Sequence, residues 1–170
     1  MKRIWIPAII LVILATAAGC KTYPDEGRQV KIKRGEYAPN FSLTDTTGEE
    51  VSLWDHRNKV VLINFWATWC PPCLQEMPDI QTRYEIHKQD LSVLAVNDGD
   101  SLAQVSSFQH ELGLSFNPLL DPNGSVSSLY QVSAFPTSIF LDEHGIIRFI
   151  HIGLMTASQL DAYLLEMGLD

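Results

Sequence analysis

The 170-residue sequence predicts an α/β domain in which helices cover both faces of one central mixed sheet. Three observations predict it. Val60 to Trp66 (VVLINFW) and Leu91 to Val96 (LSVLAV) are short, almost unbroken apolar runs, as expected of strands buried on both faces. Between them Cys73, Met77, Ile80 and Tyr84 recur at spacings of three and four, an amphipathic helix that completes a βαβ unit with parallel strands and a right-handed crossover. Near the C-terminus Thr137 to Leu141 and Ile146 to Ile152 flank Asp142-Glu143-His144-Gly145, a hairpin signal in which Gly145 supplies a positive φ.

In chain order, Lys2 and Arg3 precede an apolar run, Ile4 to Ala15, and small residues, Thr16 to Gly19, which is the order of a secretory signal. Ala17-Ala18-Gly19-Cys20 resembles a bacterial lipoprotein box, with Ala17 where Leu is usual, and implies that Cys20 is lipidated and becomes the mature N-terminus. An uncleaved anchor is the alternative, but the 15 residues from Ile4 to Ala18 reach only about 22 Å across a hydrocarbon core of about 30 Å. A free secreted protein is the third reading. All three place the rest of the chain outside the cytoplasm.

Residues 21–36 show neither a strand nor a helix period and contain Pro24, Gly27 and Gly35, so they read as a tether, with Lys31, Lys33 and Arg34 solvated. Residues 37–170 form one domain, large enough to bury roughly two thirds of its unfolded surface without a disulfide or metal staple. Alternation from Phe41, a turn at Thr47-Gly48, and Val51 to Leu53 predict an N-terminal β-hairpin. The helix after Cys70 opens on Pro71 and Pro72 and is expected to kink at Pro78. Asn97 and Asp98 are expected to end the second central strand. Ser101 caps a helix bearing Leu102, Val105, Phe108 and Leu112, which Gly113 stops. A short strand at Pro118 to Leu120 and a helical turn at Ser125 to Gln131 follow. Thr156 and Gln159 form a capping box for a last helix with Leu160, Leu164 and Met167.

The formal charge is -8, but from Tyr37 onward 17 Asp and Glu face 5 Lys and Arg, so the domain is strongly acidic. Phosphate backbones repel such a surface and no basic stripe crosses it, which excludes nucleic acid as a partner. Of three cysteines, Cys70 and Cys73 remain once Cys20 is assigned to lipid. A staple across so short a loop constrains little of the unfolded chain, so an inert brace explains the pair poorly.

Trp69-Cys70-Pro71-Pro72-Cys73 instead sits where a central strand meets a helix, the position at which open α/β sheets present reactive groups. As N-cap, Cys70 can accept the Cys73 N–H, and the helix dipole favours its thiolate, the attacking species. Cys73, one turn inside, can then resolve a mixed disulfide on Cys70. Pro71 and Pro72 remove two donors from the Cys70 anion, which points to a less oxidising pair. A closed zinc site wants four ligands, and the five histidines are scattered, so no metal is expected. A Cu(I) carrier using the two thiolates remains open as an alternative.

Ala38-Pro39-Asn40-Phe41, Asn64 to Cys73 (NFWATWCPPC), Glu76-Met77-Pro78 and Phe135-Pro136-Thr137 together resemble the thioredoxin superfamily, and more closely its TlpA/ResA-like, membrane-tethered thiol:disulfide oxidoreductases, over about Tyr37 to Gly168. The resemblance implies a thioredoxin fold with an N-terminal β-hairpin and a helical insertion, here about Ser101 to Gln131. It implies Cys70 as nucleophile, Cys73 as resolving thiol, Glu76 as the acidic residue beside them, and Pro136 as a cis-proline facing the disulfide, with Phe135 and Trp69 as partner-contacting surface. Alone, Glu76 would read as a solvated helix carboxylate.

It further implies a disulfide-bearing client, apocytochrome c with its haem-binding CxxCH disulfide in ResA-like members, a membrane electron donor of the CcdA/DsbD type, and no cofactor beyond the cysteine pair. One departure from thioredoxin is Asn64, where that protein carries a buried Asp; an amide cannot act as a base, which leaves Glu76. A thiol peroxidase, the competing enzyme, needs Pro-x-x-x-Thr-x-x-Cys, whereas Thr68 lies two residues before Cys70 and no such Pro is present.

Overall fold

The computed structural model describes residues 31–170, so the signal segment, Cys20 and the tether up to residue 30 lie outside the described residues. Seven strands form one sheet: β1 (Ser42–Asp45), β2 (Glu50–Ser52), β3 (Val60–Trp66), β4 (Leu91–Asp98), β5 (Leu119–Asp121), β6 (Thr137–Leu141) and β7 (Ile147–Ile152). Their order is β2-β1-β5-β4-β3-β6-β7. Strands β3, β4 and β5 run parallel, while β6 and β7 on one side and β1 and β2 on the other add antiparallel pairs. The helices are α1 (Pro71–Ile86), α2 (Leu102–Glu111), α3 (Ser125–Leu129) and α4 (Ala157–Glu166).

Strand alternation decides which side chains meet which helix. Leu62 and Trp66 of β3, Ala95 of β4 and Phe140 of β6 pack with Met77 and Ile80 of α1, Phe108 of α2, and Leu160 and Leu164 of α4. The intervening Ile63, Phe65, Val96 and Ile139 pack on the other face with Phe41, Val126 and Tyr130. Asn64 shares the first face by parity and is fully buried, the one polar side chain in an otherwise apolar strand. It therefore needs partners.

The expected hairpin is present, and β1 pairs not with the central strands but with β5. The insertion thus contributes a strand as well as α2 and α3, because β5 bridges β4 and the hairpin. Asp45 locks the hairpin turn by accepting Thr47 and Glu49 N–H on Oδ1, and Asn117 of the insertion on Oδ2. After β2 a 3₁₀ turn, Leu53–His56, replaces the expected continuation of the strand.

Pro78 does not break α1. The helix runs continuously for 16 residues, and Pro78 sits on its exposed side, where water can take up the unpaired carbonyl one turn back. Strand β4 also runs past its expected end: Asn97 and Asp98 pair with Leu120 and Asp121, so a neighbour supplied by the insertion extends it. Both α2 and α4 carry complete capping boxes, Ser101 with Gln104 and Thr156 with Gln159. Upstream of Tyr37, Gly35 N–H donates to Ile147 O, Glu36 O accepts from Ile147 N–H, and Arg34 lies over the Phe149 ring at 5.2 Å. No helix among the described residues is long and apolar enough to cross a membrane.

Candidate active site

Strand β3 ends at buried Trp66, the chain comes to the surface at Thr68 and Trp69, and α1 takes it back from Pro71, which leaves Ala67 to Cys70 as the connecting loop. Proline at the first two helical positions fits because those N–H groups would have no intrahelical partner. Cys70 is the N-cap, and its sulfur accepts the Cys73 N–H at 3.3 Å. Cys70 and Cys73 form a disulfide with Cα atoms 5.3 Å apart. Cys73 is fully buried and Cys70 keeps 3% of its surface, so Cys70 is the member of the pair that solvent reaches.

Glu76 lies one turn beyond Cys73 on the same buried face and is 1% exposed, which corrects its reading as a solvated carboxylate. Its Oε1 accepts from Asn64 Nδ2 at 2.7 Å and its Oε2 from the Met155 N–H at 2.9 Å. Burial raises its pKa to about 7, and the two donors offset only part of that rise. A carboxyl poised near neutrality can both accept and return a proton.

The loop itself is held from the insertion side. Thr68 N–H donates to Asp100 Oδ2 at 2.7 Å, the Asn97 amide donates to the same oxygen at 2.9 Å, and Asn97 Oδ1 accepts the Asp100 N–H. This clamp ties the end of β4 to the segment before Cys70. On the other side the Phe135–Pro136 bond is cis, and the Gly153 N–H donates to Pro136 O at 2.8 Å. Trp69 is 68% exposed, with its ring edge-on to half-buried Phe135 at 5.8 Å. Trp69 is therefore surface rather than core.

The structure thus brings Cys70, Cys73 and Glu76 onto one helix and sets Trp69 against Phe135, while Cys20 lies outside the described residues. Residue patterns did not single out Ser138, whose Oγ accepts from Asn64 Nδ2 at 3.0 Å, the Met155 N–H or the clamp of Asp100 and Asn97. The available signals were the polar Asn64 inside VVLINFW and the acidic Asp98-Gly99-Asp100 run before a helix cap. Among the described residues no group of three or more His, Cys, Asp and Glu is placed to hold a metal.

Residues 34–150 match the AhpC/TSA family. The chain is 39% identical to thioredoxin-like protein YneN of Bacillus subtilis over 95% of this chain and 96% of that one. It is 36% identical to the thiol-disulfide oxidoreductase ResA of Geobacillus kaustophilus over 96% and 95%. Among solved structures, one described as a thiol:disulfide interchange protein DsbE from Chlorobium tepidum superposes with a TM-score of 0.75 at 31% identity, over 81% of this chain and 99% of that one. The exposed lipoprotein thioredoxin Etrx1 of Streptococcus pneumoniae gives 0.67 at 29% identity, over 75% and 99%. A strand-end CxxC pair on the first turn of a helix, a cis-proline opposite in sequence, and relatives aligned along nearly their whole length agree. The chain belongs to the ResA-like thiol-disulfide oxidoreductases of the thioredoxin-like AhpC/TSA family, and is a thiol-disulfide oxidoreductase.

Proposed function

We propose that the protein is an extracytoplasmic, lipid-anchored reductant of protein disulfides, and that its client class is a CxxC disulfide such as the haem-binding CxxCH of apocytochrome c. The observation that carries the exchange reading is the asymmetry of the pair, with Cys70 at the helix cap reaching solvent and Cys73 buried one turn from Glu76, and the reducing direction is supported by Pro71 and Pro72, which withhold two N–H donors from the Cys70 anion.

In the reduced protein the Cys70 thiolate attacks one sulfur of the client disulfide, forms a mixed disulfide, and the second client sulfur leaves as a thiolate. Cys73 then gives its proton to Glu76 and attacks Cys70 Sγ. The Cys70–Cys73 bond forms, the bond to the client breaks, and the departing client thiolate takes the proton back. Two electrons pass to the client in each cycle, with the cysteine pair as the sole redox group and no resident cofactor. Exposed Trp69 and half-buried Phe135 form the surface on which the client chain lies, and Pro136, itself buried, follows Phe135 directly in the chain. A membrane dithiol donor of the CcdA/DsbD type recharges the pair. The anchor reading rests on the box ending at Cys20, and the structural neighbour Etrx1, itself described as an exposed lipoprotein, supports it. For a Cu(I) carrier the described residues offer no group of three or more His, Cys, Asp and Glu, whereas the buried Glu76 one turn from Cys73 serves exchange.

Two experiments test this. Cys70→Ser abolishes exchange, whereas Cys73→Ser still accumulates covalent client adducts that a reductant releases; equal adduct yields from both variants would reverse the assigned order of attack. Cys20→Ala leaves the protein unlipidated and changes its mass and its partition into detergent-extracted membranes. Unchanged mass and retention would show that the N-terminal segment stays in place as an anchor.

A further inference from the structure

Asn64 stands on the sheet face that meets α1, directly opposite Ser138 in the antiparallel register of β3 and β6, so the two side chains rise side by side. The Asn64 amide spends both of its hydrogens: one on Glu76 Oε1 at 2.7 Å and one on Ser138 Oγ at 3.0 Å. Its own oxygen, fully buried, has no hydrogen-bond partner. An orphaned buried acceptor is rare enough to need a reason.

We propose that Asn64 and Ser138 form a rotating-amide relay that follows the proton on Glu76, so that Asn64 is a positioning residue for the resolution step. The inference deepens the reading of Glu76 as base and rests on it. In the orientation described, Glu76 faces two donors, the Met155 N–H on Oε2 and the Asn64 amide on Oε1, which suits a carboxylate and no other state. When Glu76 takes the Cys73 proton, one oxygen becomes a donor. The Met155 N–H belongs to the backbone and cannot turn, so the proton must sit on Oε1, facing an amide nitrogen that cannot accept it.

A half-turn of Asn64 about χ2, a torsion with two broad and nearly equivalent settings, exchanges the amide nitrogen and oxygen. The orphaned oxygen then accepts Glu76 Oε1–H, and the Ser138 hydroxyl, able to give or to take, turns to donate to the same oxygen. Asn64 keeps one bond to Glu76 and one to Ser138 in both states, while the turned NH2 group moves to the place the oxygen held and gives up the two acceptors it had. An Asp at position 64 could not exchange donor for acceptor in this way, and an apolar residue could serve neither state.

No charged side chain contributes to the shift at Glu76, which burial raises and the Met155 N–H and Asn64 amide lower. From β7, His151 engages Leu154 O and the Tyr163 hydroxyl rather than Glu76. On α1 itself, Cys73 carries no proton while the disulfide is intact. The oxidised protein therefore isolates the Glu76 titration.

The test is NMR on the oxidised full-length chain in detergent micelles, with Glu76 ionisation followed by its side-chain carboxyl carbon and the Asn64 orientation by the Overhauser contact between its amide protons and the Ser138 Cβ protons. The contact is expected above the Glu76 midpoint and is expected to vanish below it; a contact that persists unchanged through the midpoint overturns the relay. Asn64→Ala is expected to slow resolution about tenfold, the effect of one lost charge-assisted hydrogen bond, and to displace its pH profile. A profile superimposable on that of the native chain also overturns it. Failure of the underlying reading looks different: Glu76→Gln would resolve at the native rate while the Asn64 amide of the native chain still turned with pH.

Discussion

Glu76 is buried as deeply as the aliphatic residues around it, and the cost of that placement is what makes it useful. Its carboxyl has a pKa of about 7 in the folded chain against an ordinary value of 4.5, with burial as the main cause. An acid whose folded pKa is raised contributes its stability fully below about pH 4.5 and loses it as pH climbs through about 7. A shift of that size corresponds to a loss on the order of 3 kcal/mol. Glu76→Gln stays neutral throughout, and its amide can give Met155 N–H an acceptor and a turned Asn64 a donor, so the fold survives. The expected outcome is that urea unfolding of the oxidised native chain weakens from pH 5 to pH 8 relative to the variant, whose curve lacks this component. In stopped-flow reaction with a mixed-disulfide peptide, the variant resolves roughly 10²-fold more slowly, the low end of what a positioned base supplies. A resolution rate within about threefold of native from pH 5 to pH 9 would remove Glu76 from the proton path.

Among the elements, α3 shows how a short helix is held by one side chain. Five residues cannot sustain a helix in water, and its N-cap, Gly124, at φ 63°, offers no side-chain oxygen. Asp121, at the end of β5, supplies both: Oδ1 accepts Ser125 N–H and Oγ–H, and Oδ2 accepts Val126 and Ser127 N–H. Asp121→Ala strands these donors at a buried site, at a cost of about 2–3 kcal/mol. The expected result is a fall in Tm on the order of 10 °C in calorimetry; a fall under about 2 °C would show that packing of Val126, not the cap, holds α3. The same case explains what could be read from residues in order. Ser101 with Gln104 and Thr156 with Gln159 were legible because both partners lie within one turn, and β3 and β4 because burial on two faces leaves unbroken apolar runs. The extension of β4 through Asn97 and Asp98 was not, since it depends on β5 arriving 23 residues later to pair with it. At the site, Cys70 and Cys73 announce themselves by spacing. The burial of Glu76 does not, because its second donor, Met155, is 79 residues away.

At the scale of the whole molecule, the acidic surface acts at a distance on whatever approaches Cys70. All five cationic side chains from Tyr37 onward are already engaged: Arg83 with Asp161 and Asp79, Lys88 with Glu85, Arg148 with Asp142, Arg57 over Trp54, and Lys59 on Lys88 O. Twelve negative charges remain in excess, and Asp100, which holds the loop before Cys70, is one of the acidic groups. Such a field concentrates cations and repels anions without any contact, and it extends only as far as the Debye length, about 10 Å at 0.1 M salt and about 3 Å at 1 M. A disulfide peptide flanked by Lys is therefore expected to oxidise the reduced protein at least about tenfold faster than the same peptide flanked by Glu at an ionic strength of about 0.02 M. The ratio should collapse toward one at about 0.5 M, where the charges are screened, while a neutral peptide reacts at a rate that salt barely changes. Mixed-disulfide formation measured with Cys73→Ser isolates this first encounter from resolution. Equal rates for the two charged peptides at low salt would mean that the local contact of Trp69 and Phe135, rather than the field of the domain, selects the client.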